Sequence, residues 1–243
     1  MKKFVSLGTN YEVAFQIEKY QGYIDSGLFS WAFVLDDEKF LRALENIDDI
    51  FTHGVHFHMP SDDMFYDEKY DITFHGRTPR SEMFDQAGNL INPAAYDACL
   101  SELRSRLEHL KERTKQIFAS ADEKIFLRKI EMQPDANGEF PYAQVANFIG
   151  RLYDVLSRQV CKGTFKLVIV LEKRHLVPDI QKLERGGIFI RGVEYLAPFY
   201  DTKDGADENS WRKILHEFGD SGFPLFRKRQ IHIGNGWNKA SPG

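Results

Sequence analysis

Two periods of apolar residues run through the chain, and the switches between them lay out its elements. Residues 3–7 form a short apolar run that reads as a buried strand, and Gly8-Thr9-Asn10 breaks it. Val13, Ala14, Ile17 and Tyr20 then recur at helical spacing, so the opening unit is strand, tight polar loop, helix. Residues 29–35 are a second apolar run and predict a strand; Asp36 or Asp37 caps a helix carrying Phe40, Leu41 and Leu44. Residues 53–80 read as an irregular insertion rich in histidine and aromatics, within which residues 70–75 alternate as a strand does. Asn92-Pro93 opens a long helix, Asn as cap and Pro in the first turn, that runs to about residue 119. Its apolar positions Leu100, Leu103, Leu107, Leu110 and Ile117 lie mostly on one face.

Downstream, strands are predicted at 124–128, 165–171 and 188–193, and helices at 142–156, 180–183 and 209–218. A turn-rich loop fills 134–141, and an irregular tail rich in Gly, Lys and Arg starts near 223. Strands alternating with helices predict an α/β fold: one three-layer domain over residues 1–243 with a mainly parallel sheet. Val5, Leu127 and Val168 are expected on its central strands, because each lies in an apolar rather than an alternating run.

Composition changes this picture little. Of 243 residues, 42% are hydrophobic and 28% charged, the balance of a globular chain. A net charge of -4 gives no overall pull toward nucleic acid or an anionic membrane. Cys99 and Cys161 make no disulfide framework and fit a reducing compartment. The first residues turn polar too soon for a secretory signal, and no apolar run approaches the ~20 residues of a membrane helix. A cytoplasmic protein without a membrane span is expected.

In α/β sheets, ligands bind beyond the carboxyl ends of the strands. Four predicted strand ends carry chemistry: Gly8-Thr9-Asn10-Tyr11-Glu12, His75-Gly76-Arg77, Arg128-Lys129-Ile130-Glu131 and Glu172-Lys173-Arg174-His175. Parallel neighbours would bring these tips to one rim. Gly8 allows close backbone approach, and the helix start behind it suits a phosphate; the same residues also fit a tight turn capped by Thr9 or Asn10. Arg77, Arg80 and Arg128 can pair with phosphate or with surface acids. Arg128 is the preferred anion ligand, since it closes a strand expected to be buried. His53, His56 and His58, with Asp62 or Asp63, have the residue types of a divalent metal site, but their spacing fits no metal signature. The expectation there is a loop of exposed or hydrogen-bonded histidines; no metal ligands are assigned, and a divalent metal is the one cofactor left open.

The string Val5-Ser6-Leu7-Gly8-Thr9-Asn10-Tyr11-Glu12-Val13-Ala14, with Ser26-Gly27-Leu28-Phe29-Ser30-Trp31 after it, resembles the opening of a bacterial family labelled papain-like cysteine peptidases. Residues 65–70 leading to Phe74-His75, and residues 124–129, resemble it more loosely. Members of that family carry cysteine where this chain has Tyr11, and Pro-Phe-Asp-Trp where it has Leu28-Phe29-Ser30-Trp31. A phenol cannot replace a thiolate nucleophile. The family often accompanies genes for surface polysaccharides, so the resemblance implies a role in glycan assembly of the capsule or O-antigen type.

The leading expectation is therefore a glycosyltransferase-like enzyme whose partners are a phosphorylated or nucleotide sugar and a glycan acceptor. Gly8, Thr9, Asn10 and Tyr11 would line the donor phosphate site, Arg128 with Arg77 or Lys129 would neutralise charge, and Trp31 would stack. Glu12, Asp71, His75 or Glu131 would supply the base. The alternatives are a hydrolase relative that has lost its nucleophile, with His75 as the surviving base, and a non-catalytic binding protein.

Overall fold

The computed structural model describes residues 1–34, 36–57 and 64–219. Along the chain run β1 (Lys2–Ser6), α1 (Glu12–Gln21), β2 (Phe33–Val34), α2 (Asp37–Glu45), β3 (Val55–Phe57), β4 (Met64–Asp67), β5 (Ile72–His75) and α3 (Arg80–Met83). After them come α4 (Pro93–Ala119), β6 (Glu123–Lys129), α5 (Tyr142–Gln159), β7 (Phe165–Glu172), α6 (Pro178–Gln181), β8 (Ile188–Val193) and α7 (Glu208–Phe218). The fold is α/β, as the alternation of periods requires. The long helix starts where Asn92 Oδ1 accepts from the Ala95 amide at 3.2 Å, and α2 starts where Asp36 accepts from Lys39 at 2.8 Å.

Four strands form an all-parallel sheet in the order β1-β6-β7-β8. Side chains alternate across it. On β6, Ile125 and Leu127 join Phe4, Val168 and Val170 against Val13 and Ile17 of α1 and Trp211 and Ile214 of α7. Phe126 faces the other way, with Leu167 and Ile169, into a larger cluster shared with α2, α4 and α5. Both faces are thus covered, which explains the unbroken apolar runs. Leu127 and Val168 lie on central strands, but Val5 does not: among the described residues β1 is an edge of the sheet.

Two local expectations are corrected. Of residues 29–34, only Phe33 and Val34 form a strand, β2, because Leu28–Trp31 winds into a 3-10 turn in which the Gly27 amide donates to the Ser30 hydroxyl at 3.2 Å; residue 35 lies outside the described residues. A buried turn and a buried strand give the same apolar run. The described residues of this stretch, 53–57 and 64–80, are not an irregular insertion. They supply three strands of a second, antiparallel sheet, order β2-β5-β4-β3. Buried Asp67 closes the β4–β5 turn by accepting from the amides of Lys69 at 2.9 Å and Tyr70 at 3.2 Å, and it holds Phe51 N at 2.6 Å. Phe57, Phe65 and Phe74 of this sheet pack into the larger core cluster. The expected irregular tail lies outside the described residues.

The central strand β6 also buries cations. Lys129 and Glu12 are both 0% exposed, and Lys129 Nζ lies 2.8 Å from Glu12 Oε2. The Glu12 carboxylate further accepts from Trp211 Nε1 at 2.8 Å and from Ala197 N at 3.1 Å. On the opposite face Arg128, 2% exposed, donates to the Leu7 carbonyl at 2.8 Å and to Asp37 Oδ1 at 2.7 Å, with its guanidinium 4.2 Å from the centre of the Phe40 ring. Burial pushes the Arg128 guanidinium below its ordinary pKa, and Asp37 opposes this. These contacts tie α1, α2, α7 and the chain after β8 to the end of one strand.

Removing one member of a buried pair strands the other charge, which costs about 3–5 kcal/mol. Lys129→Met is expected to lower the unfolding free energy by that amount in urea denaturation, and Lys129→Met with Glu12→Gln to recover much of it. A single-variant loss below about 1 kcal/mol would contradict the assignment.

Candidate functional site

Because β1, β6, β7 and β8 are parallel, their carboxyl ends share one rim. Beyond β6, β7 and β8 lies a cleft of about 170 Å³, lined by Ile130, Glu131, Met132 and Gln133, by Glu172, Arg174 and His175, and by Leu196, Ala197 and Pro198. Here β7 ends and Lys173–His175 turns back as a 3-10 turn. Gly192 of β8 lets that turn lie close, since a Cβ there would stand 2.7 Å from Leu176 Cδ1. The turn carries His175 inward, to 2% exposure.

The His175 ring packs edge-on to Phe140 with centroids 4.5 Å apart, and its Nδ1 is 3.4 Å from the Tyr142 hydroxyl. Its Nε2 is buried and has no hydrogen-bond partner among the described residues. Burial holds the imidazole below its ordinary pKa of 6.5; Arg174 pushes the same way and Glu172 opposes. The ring is therefore neutral at pH 7 and able to accept a proton. Glu172 accepts from Leu196 N at 3.4 Å and from Arg174 Nε at 2.5 Å, while Glu131 accepts from Lys129 at 2.5 Å.

A second cluster occupies the seam between the two sheets. Tyr11, at the start of α1, lies between Phe33 and His75, with ring centroids 5.1 and 5.4 Å away, and Trp31 stands at 6.2 Å. Phe15 packs edge-on to Trp31 at 5.4 Å, and Trp31 Nε1 donates to Ser26 Oγ at 3.0 Å. Arg106 of α4 donates to the His75 carbonyl. Burial first and the nearby Arg77 charge next push the Arg106 guanidinium below its ordinary pKa, while Tyr11 acts on it in the opposite sense. Arg77 itself pairs with Glu102 at 2.8 Å and is largely exposed.

The proposed rim is thus divided. Tyr11, Trp31, His75 and Arg77 gather at the seam, Glu131 lines the cleft, and the other candidates do structural work. Arg128 and Lys129 at the end of β6, and Glu12 at the start of α1, are buried ion-pair partners, as an inward-facing charge on a covered element must be neutralised in place. His75 and Arg128 belong to different sheets, and Arg128 does not line the cleft. Gly8, Thr9 and Asn10 form the tight polar turn that the sequence also allows. Asn10 Oδ1 takes the Glu12 amide at 3.0 Å, and Gly8 packs so tightly that a Cβ would lie 3.1 Å from the Phe29 carbonyl oxygen. Asp71 sits at the other end of β5 from His75, roughly 13 Å along an extended chain of four residues, where it accepts from Tyr66 and from Lys39. Arg80 Nη2 donates to the Asp85 carbonyl at 3.3 Å.

His56 pairs with Glu68 at 3.3 Å; His58, Asp62 and Asp63 lie outside the described residues. Among the described residues, no group of three or more His, Cys, Asp or Glu could hold a metal ion. None of their helices is long and apolar enough to cross a membrane. Sequence reasoning missed Arg106, which sits among charges on α4 and reads as a solvated face. It named the Glu172–His175 tip without singling out His175, whose burial depends on Phe140 and Tyr142.

A histidine whose folded pKa is depressed supports the fold fully above its unfolded value and less as pH falls toward the folded one, because the unfolded chain binds the proton first. Unfolding free energy is therefore expected to fall between about pH 7.5 and pH 5. His175→Phe should lose less over the same interval, as read from urea midpoints; an unchanged acid sensitivity would show that His175 is not a source of it. No family model, curated protein or solved structure matches the chain.

Proposed function

We propose that the chain is a transferase of bacterial surface-glycan assembly that takes a phosphate-activated sugar donor at the seam between its two sheets. One observation carries this reading: partly exposed Tyr11, Trp31 and His75 stand beside Arg77 and Arg106. Aromatic faces stack on a sugar or a base, and guanidinium groups match phosphate geometry. Arg106 has five N–H donors, and its bond to the His75 carbonyl uses one. His75 is the candidate base for an acceptor hydroxyl. In this reading Arg77 and Arg106 neutralise the donor's charge, since Arg128 is already paired with Asp37.

The degenerate-hydrolase reading draws on a specific contact. His75, at the end of β5 in the antiparallel sheet, reaches the ring of residue 11, where the resembling family has its cysteine. In that reading the pair is the remnant of a nucleophile and its base. It requires no donor phosphate, which separates the two.

Thermal-shift and calorimetric titrations with UDP-glucose, GDP-mannose and glucose 1-phosphate test the proposal. At 100 times its dissociation constant, a true donor adds about 2.7 kcal/mol of stability. Arg77→Ala should weaken it about tenfold or more while moving stability by no more than about 0.5 kcal/mol. No stabilisation by any of the three compounds, or full affinity in Arg77→Ala, would reject the donor site.

A further inference from the structure

The cleft beyond β6, β7 and β8 is separate from the seam and shares none of its residues. Its polar lining consists mainly of hydrogen-bond acceptors. Glu131 and Glu172 present carboxylates, Gln133 adds an amide, and His175 adds a buried imidazole nitrogen that no described group satisfies. The one guanidinium on the lining, Arg174, is paired with Glu172 and is 67% exposed. An anion placed there would meet two carboxylates at short range, so phosphate is disfavoured. The rest of the wall is apolar: Ile130, Met132, Leu196 and Pro198. A volume of about 170 Å³ is well below the roughly 300–1,000 Å³ of sites for drug-sized molecules. The fitting occupant is small, rich in hydroxyl donors along its edges and apolar on a face.

We propose that this cleft binds a small polyol or monosaccharide, with a ligand hydroxyl donating to Nε2 of His175 and others to Glu131 and Glu172. A buried imidazole nitrogen without a partner is a cost that a donor in the cleft removes. The proposal takes the neutral tautomer with the proton on Nδ1, where it can donate to the Tyr142 hydroxyl at 3.4 Å and leave Nε2 as the acceptor. Charged and titratable neighbours are Arg174 and Glu172 beside the ring, Tyr142 from α5 and Glu131 across the cleft. The site does not rest on the donor reading, because none of Tyr11, Trp31, His75, Arg77 and Arg106 takes part.

Histidine side-chain 15N spectra of the labelled full chain test this, with His175 assigned as the resonance missing in His175→Phe. Titration with glycerol, inositol or glucose should shift that resonance saturably. Loss of one buried hydrogen bond should weaken binding about tenfold in His175→Phe. Gln133→Trp, at an exposed loop position, should block the cleft and weaken binding as much without touching the core. That second variant keeps the test decisive if His175→Phe does not fold. An unmoved His175 resonance at saturating polyol, unchanged affinity in Gln133→Trp, or tighter binding of ethanolamine than of any polyol would overturn the proposal. Arg77→Ala should leave polyol binding unchanged, so failure here and failure of the donor site are read separately.

Discussion

Lys129 places an ammonium wholly inside the protein at the end of a central strand, and Glu12 meets it at 2.8 Å. Both Glu12 oxygens are engaged: Oε1 by the Trp211 indole, Oε2 by Lys129 and by the Ala197 amide. A pair of this kind offsets its own desolvation only when its geometry is good and its remaining hydrogen bonds are made, and apolar replacements are often equally stable. Its main contribution is therefore positional. It sets the start of α1, the side of α7 and the chain after β8 against one strand end.

The same strand repeats the device on its other face, because side chains alternate with period two. Arg128 points away from Lys129 and fixes the end of β1, through the Leu7 carbonyl, to Asp37 at the start of α2. The inward-facing cations of the rim are thus consumed by the fold. What remains for chemistry lies one step further out, as Glu131 does, or comes from outside the parallel sheet, as Arg106 and His75 do. This division fits a cleft whose one guanidinium, Arg174, is paired with Glu172, and a seam that holds Arg77 and Arg106.

Much of this architecture was legible in the sequence where the signal is local. Asn92-Pro93 marks the start of α4, and the uniform apolar runs of β6 and β7 give away strands covered on both faces. The antiparallel sheet was harder to see, since β2 and β3 are two and three residues long and their pairing is set by residues distant in sequence. The site was legible in part for the same reason. Gly8-Thr9-Asn10 satisfies the local rules for an anion loop and for a capped turn equally well. The choice between them is made by the Phe29 carbonyl and Val34 side chain, which close over Gly8. A charge at a strand tip likewise looks available until a partner such as Glu12, 117 positions away, is seen to hold it.

The Gly8-Thr9-Asn10 loop also has a structural use. Gly8 and Thr9 both have positive φ, 77° and 84°. For a β-branched residue this is a strained state, maintained only where surrounding contacts over-determine it. Two such contacts are present. Thr9 Oγ1 donates to the Lys129 carbonyl at 2.9 Å, and the Thr9 carbonyl accepts from Val34 N at 3.2 Å. One holds the loop to β6 of the parallel sheet and the other to β2 of the antiparallel sheet. Thr9 is therefore a joint between the sheets, two residues before Tyr11. The contact of Tyr11 with His75 follows from that joint, since Tyr11 lies in the chain that leaves β1 and His75 ends β5 of the antiparallel sheet. Lys129 presents its carbonyl to this joint while its ammonium holds Glu12 and Glu131, so one residue's backbone and side chain set the geometry of the seam and of the cleft together.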